Sequence, residues 1–135
     1  MFGEGIYDLI FIFELNSNPM DIEQIQKLCL SWPGVTEDVK WGNDLCFCIG
    51  EKMFCVTGMV QPLMVSFKCS NEDFEELCER EDIVPAPYLA RNKWVQVQRP
   101  SALTKKEWVQ YIKKSYELIA AKLSLKQRKQ LGLIK

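Results

Sequence analysis

Four groupings of side chains in this sequence invite chemistry. Cys46, Cys48 and Cys55 bring three thiols onto two neighbouring strand-like runs. A tetrahedral zinc site wants four ligands, usually at Cys-x₂₋₄-Cys spacing, and alternate residues of one strand rarely chelate one ion. Cysteine also packs as a small hydrophobe, and that reading outweighs a metal site. Ser66 and Lys68 stand two apart on a strand and point the same way, as a Ser-Lys nucleophile pair would, yet no oxyanion motif accompanies them. Glu72, Asp73, Glu75, Glu76, Glu79, Glu81 and Asp82 form an acidic run that fits a solvated helix face better than a cation site. Tyr88, Arg91, Lys93 and Trp94 interleave rings with cations beside Pro85-Ala86-Pro87. Rings stack on bases and cations neutralise phosphates, so this cluster suits a nucleic acid. Packing beside a strand start is the plainer alternative.

One absence limits all of these. The chain of 135 residues contains no histidine. The commonest general base, the Ser-His and Cys-His pairs and most zinc ligand sets are therefore excluded. No catalytic residue, metal or cofactor is expected. Walker, Gly-x-Gly-x-x-Gly, zinc-finger and RNA-recognition signatures are also missing.

Composition sets the class. The 47% hydrophobic and 26% charged content is ordinary for a globular domain. The length suits a single domain. No stretch reaches the roughly 18 apolar residues of a spanning helix. The apolar stretch Ile6–Phe13 is short, holds Asp8 and follows Glu4, which makes a poor signal peptide. The expected location is cytoplasmic, with the six cysteines as free thiols. Charge is unevenly spread. Residues 1–90 carry 5 Lys+Arg against 16 Asp+Glu, and residues 91–135 carry 12 against 2. Either the basic part meets an anionic partner, or the two parts face each other in the fold.

These groups must be held by elements legible in the pattern. Asp21 with Gln24 opens a first helix as a capping box, with Ile22, Ile25, Leu28 and Cys29 as its stripe, and Trp32-Pro33-Gly34 ends it. Strand-like runs follow at Val39–Trp41, Leu45–Ile49, Met53–Thr57 and Leu63–Cys69, separated by turn residues. Ser70 caps an acidic helix reaching about Arg80, and Trp94–Gln98 reads as a fifth strand. Thr104 with Glu107 starts a long helix that buries Trp108, Ile112, Ser115, Ile119 and Leu123. A short basic tail, Lys126 to Lys129, follows. Short turns between consecutive strands make them antiparallel. The predicted class is α+β, a two-layer sandwich of about five antiparallel strands with helices on one face.

A two-residue Gly50-Glu51 turn pairs Phe47 with Phe54 and Cys46 with Cys55. Leu45, Phe47, Ile49, Phe54 and Val56 then share the core face with Leu63, Val65, Phe67, Val95 and Val97. The outer face receives Cys46, Cys48, Met53, Cys55, Met64, Ser66, Lys68, Trp94 and Gln96. It is softer than a solvated face should be, and a cover is expected: a ligand, a partner, a second copy or Ile6–Phe13.

Several stretches resemble the MmcQ/YjbR family: Pro33-Gly34-Val35-Thr36-Glu37, Trp41-Gly42, Phe47 to Phe54, Ser66-Phe67-Lys68-Cys69, Pro85-Ala86-Pro87-Tyr88, Lys93 to Val97, and Ser115-Tyr116-Glu117-Leu118. They run in family order from about Met20 to Leu123. The resemblance implies a CyaY-like two-layer fold, also described as a double-wing DNA-binding arrangement, beginning near Met20. Residues 1–19 are then an extension, and 20–135 the domain. The same resemblance implies DNA as a partner, with Lys52, Lys68 and Lys93 as the candidate contacts and Trp94 and Tyr88 beside them, and the ring-and-cation cluster adds Arg91. Many relatives carry histidine where Lys93 stands. The expectation is a non-enzymatic protein that binds DNA with low specificity through its basic C-terminal third. The alternative is a protein- or small-molecule-binding module using the outer face around Lys68 and Trp94. A homodimer through that face or through the extension is also expected as an option.

Overall fold

The computed structural model describes residues 20–134. The expected boundary at residue 19 and the packing of Ile6–Phe13 lie outside the described residues.

Helix α1 (Ile22–Leu30) starts at Asp21, whose carboxylate accepts from the Gln24 backbone at 2.9 Å. Only this half of the expected capping box forms, for the Gln24 side-chain oxygen is buried with no partner. Six strands follow: β1 (Val35–Lys40), β2 (Asp44–Ile49), β3 (Lys52–Gly58), β4 (Val65–Lys68), β5 (Ile83–Pro85) and β6 (Trp94–Val97). Their order is β1-β2-β3-β4-β6-β5, antiparallel throughout. Helices α2 (Asn71–Cys78), α3 (Lys105–Ala120) and α4 (Leu125–Gln130) complete the chain. Ile25 and Leu28 of α1, Leu77 of α2, and Trp108 and Ile112 of α3 share one core with Phe47, Val65 and Val95 of the sheet. The expected two-layer α+β class is the observed one.

The elements differ from expectation in three places. The sheet has a sixth strand, β5, which is short and contains a proline. Pro85 is tolerated because it sits at the sheet edge, where a missing N–H costs no ladder bond. Strand β1 begins at Val35, not Val39, and its run of Thr36, Glu37 and Asp38 is solvent-exposed. Charged side chains are how an open edge avoids pairing with another chain, and they conceal it from a search for apolar alternation. The basic tail contains a helix, α4, opened by a reciprocal capping box between Ser124 and Gln127.

The register of β2 against β3 also departs from expectation, with larger consequences. Gly50 and Glu51 both have positive φ, 57° and 68°, as a two-residue hairpin turn requires. The predicted pairing holds beside the turn, where Ile49 meets Lys52 and Cys48 meets Met53. It then slips: Phe47 pairs with Cys55, not Phe54, and Cys46 with Val56, not Cys55. Phe54 is the extra residue of a β-bulge, and a bulge inverts which face each later side chain takes. Phe54 remains in the core, but Cys55 joins it there, and Val56 moves to the outer face that Cys55 was expected to share.

A bulge frees backbone groups from the ladder, and buried ones need partners. Ser115, fully buried on α3, provides them. Its hydroxyl donates to the Phe54 carbonyl and accepts from the Lys68 amide at 2.9 Å. Two neighbours on α3 behave alike: Tyr116 Oη donates to the Pro33 carbonyl at 2.7 Å and Trp108 Nε1 to the Pro100 carbonyl at 2.9 Å. The capping box of Thr104 and Glu107 forms as expected.

The acidic and basic parts meet along α2 and α3. Lys114 pairs with Asp73 at 3.2 Å and Glu107 with Arg80 at 3.0 Å. Arg99 lies 3.7 Å from Asp82. The Lys114–Asp73 and Arg99–Asp82 pairs therefore resolve part of the charge asymmetry within the fold.

Candidate binding site on the outer sheet face

Four strands place Cys46, Val56, Ser66 and Gln96 in one row across the sheet, since each is the ladder partner of the next. Partners across a ladder share a face, and this row lies away from the helices. The floor it forms is mixed. Val56 and Met53 are apolar and half-buried, while Ser66 and Gln96 bring a hydroxyl and an amide. The loop after β5 arches over one side. Ala86 donates to the Trp94 carbonyl at 2.9 Å, and Leu89 donates back to the Ala86 carbonyl at 3.2 Å, closing a turn with Pro87 and Tyr88 at its centre. Between this loop and the β1–β2 turn opens a hollow of about 540 Å³. That is within the size range of small-molecule sites.

Two rings stand at its mouth. Trp41 is 70% exposed and Tyr88 fully exposed, and both line the hollow. Both also have positive φ, 53° and 66°. Tyr88 occupies the third position of a turn with proline second, where glycine or asparagine is normal. A large side chain in the left-handed region costs about 1–2 kcal/mol. Neither ring returns that cost by burial. Strain of this kind at exposed aromatics motivates a functional reading.

The charge in the hollow is sparse. Among the described residues Asp44 is its one ionisable carboxylate, and no hydrogen bond or ion pair with another described residue engages that side chain. Among the described residues no lysine or arginine lines the hollow.

Of the six residues expected to contact nucleic acid, Lys68 and Trp94 are ladder partners beside Arg91 and Lys93, Lys52 lies apart, and only Tyr88 lines the hollow. Lys52 is exposed at the far β2–β3 turn. Trp94 is 5% exposed and pairs across the ladder with Lys68. The Lys68 ammonium donates to the Asn92 carbonyl at 2.6 Å, and burial followed by the neighbouring Lys122 lowers its pKa. The Lys93 ammonium lies 5.0 Å over the Phe74 ring, directed at α2. Arg91 is exposed on a short 3₁₀ turn (Ala90–Asn92). The expected Ser66–Lys68 pair makes no hydrogen bond among the described residues, since the amine is taken by Asn92.

The three thiols are separated too. Cys55 is in the core as a free thiol hydrogen-bonded with the Cys29 thiol of α1, and burial pushes the Cys29 thiol up. Cys46 and Cys48 are buried on the outer face, and burial raises both, Cys46 to about 11. Among the described residues no group of ligands could hold a metal ion.

Sequence reasoning missed Trp41, Asp44, Val56 and Leu89. Trp41 looked like the end of a strand. Val56 reads as a core residue in the sequence, because the bulge leaves no mark in the apolar pattern.

Comparison with known proteins gives a consistent picture. The family model described as YjbR matches residues 30–118, more than half of the chain. A protein of Deinococcus radiodurans, described with a DUF419 domain, has a structure similar to this one at a TM-score of 0.75 and 25% identity, covering 82% of this chain and 87% of its own. A protein from Pseudomonas syringae has the same fold at a TM-score of 0.63 and 18% identity, covering 74% of this chain and 99% of its own. No curated protein matches the chain. Among the described residues no helix is long and apolar enough to cross a membrane.

Proposed function

The chain belongs to the YjbR family, and we propose that it is a non-enzymatic binding protein that seats its ligand in the outer-face hollow between Trp41 and Tyr88. The observation that carries this reading is the pair of exposed rings held at positive φ over a half-apolar floor. Such rings stabilise a flat or apolar group by stacking, and Ser66 and Gln96 offer polar atoms to orient it. The absence of histidine and the raised thiols argue against a nucleophile or base acting there. This refines the expected module around Lys68 and Trp94. The seat is displaced toward the β1–β2 turn, because Trp94 is buried and Lys68 is occupied.

Trp41 is the most exposed of the four tryptophans, so its emission should report binding. Para-tert-butylphenol, para-tert-butylbenzoate and para-hydroxyphenyl-trimethylammonium make a probe set of similar shape and different charge. At least one should give a saturable blue shift, and calorimetry should show that Trp41→Ala abolishes its binding. No saturable response to any of them ends the proposal. A second copy of the chain on this face is the competing occupant, and sedimentation across a concentration series would reveal it as a dimer.

A second reading retains DNA as the partner. Lys122, Lys126 and Lys129 are exposed at the end of α3 and along α4, and among the described residues they form no ion pair with a carboxylate. Three phosphate contacts would give an affinity that falls with salt at a log–log slope of about −2.7. A flat response to salt, or no duplex binding at low salt, removes this reading.

A further inference from the structure

Among the described residues the hollow presents a carboxylate and no cation, and that imbalance bears on what it takes. We propose that the seat selects an organic cation, an ammonium or guanidinium group carried on an apolar body. The inference rests on the seat proposed above and adds the charge of its occupant. Asp44 faces the hollow without an ion-pair partner among the described residues. Covering it with a neutral or anionic ligand would strip water from a carboxylate and give nothing back, which is unfavourable. A cation would restore a partner. The rings of Trp41 and Tyr88 act in the same direction, since an aromatic face is negative and attracts cations within about 6 Å of its centroid.

The surrounding cations are committed elsewhere. Lys68 donates to Asn92, Lys93 lies on Phe74, and neither lines the hollow. Lys40 is the ladder partner of Asp44 and is therefore the competing charge, although it too is outside the lining. Val56 and Met53 supply the floor for the apolar body. Of the polar floor atoms, the Gln96 side-chain oxygen already accepts from Gln98, which leaves its amide and the Ser66 hydroxyl to meet the ligand.

The test compares para-hydroxyphenyl-trimethylammonium with its neutral isostere para-tert-butylphenol on the full chain, by Trp41 emission and calorimetry. The expected result is about tenfold tighter binding of the cation. Asp44→Asn should erase that preference, weakening the cation and tightening the neutral probe as the cost of stripping water from the carboxylate is removed, and Lys40→Ala should strengthen it. Added salt should weaken the cation more than the isostere. Equal binding of the two probes, both lost in Trp41→Ala, would overturn the cation inference and leave the seat standing. Binding of neither would overturn both. Should Asp44→Asn fold poorly, the comparison of probes on the unaltered chain still decides.

Discussion

The two faces of the sheet solve opposite problems with the same strands. On the helix-covered face Phe47, Phe54, Phe67 and Trp108 are fully buried, and the polar atoms that enter are matched apart from the Gln24 side-chain oxygen: Ser115 to Phe54 and Lys68, Tyr116 to Pro33, Trp108 to Pro100. On the other face polar atoms are left open, one carboxylate lacks a partner, and two rings project into water from strained backbone. Buried polar groups left unmatched are costly, so a face that leaves groups open at a concave site is organised for something other than stability. The contrast implies that substitutions on the two faces should separate stability from binding.

The largest effect belongs to the inner face. Trp108→Ala should cost about 3–5 kcal/mol in urea unfolding, through lost packing and the Nε1 bond to Pro100, while the probe affinity of the folded fraction stays the same. A loss below about 1 kcal/mol would mean that the core described here does not carry the fold. Next comes Ser115→Ala, expected to cost about 1–3 kcal/mol because the Phe54 carbonyl and Lys68 amide lose their partner in a buried place. Its amide spectrum should shift at Phe54 and Lys68 first, and a neutral result would show that the bulge is satisfied otherwise.

Tyr88→Gly should do the reverse. Relief of the left-handed strain should raise stability by about 1 kcal/mol, reduced somewhat by the greater freedom of glycine in the unfolded chain. Probe binding should be lost at the same time. If Tyr88→Gly unfolds more easily, the ring is a packing residue and the contrast between faces fails.

The smallest effect is on pH dependence. Burial raises the Cys46 thiol on the outer face from 9.0 to about 11, and the Cys69 thiol to about 12. Above pH 9 the unfolded chain releases thiol protons that the native one still holds. The native state then binds more protons, so stability should fall as pH rises from 9 toward 11 and beyond. Cys46→Ala should flatten the lower part of that decline. An unchanged slope would place the titrating group elsewhere.

Much of the fold is legible in the residues. The Asp21, Ser70 and Thr104 caps, the Gly50-Glu51 turn and the α3 stripe each rest on local chemistry that no distant contact overrides. What escaped depends on distant contacts. Phe54 becomes an extra residue because a serine on α3, far along the chain, satisfies its carbonyl. Strand β5 is recognisable only once β6 lies beside it. The hollow is assembled from the β1–β2 turn, the floor of β3, β4 and β6, and the loop after β5, so no short window contains it. Of the expected contacts only Tyr88 reaches it, because ladder pairing and the αL turn at Lys93 direct the cations away.

The serine behind the bulge links the two faces. Val56 is part of the ligand floor only because Phe54 adds one residue to β3, and that addition is anchored from the rear by α3. If Phe54 instead paired with Phe47 in regular alternation, the valine would turn inward and a thiol would face the hollow. The helix layer thus sets the chemistry of a surface it never touches, and a tilt of α3 would be felt by an occupant on the far side of the sheet.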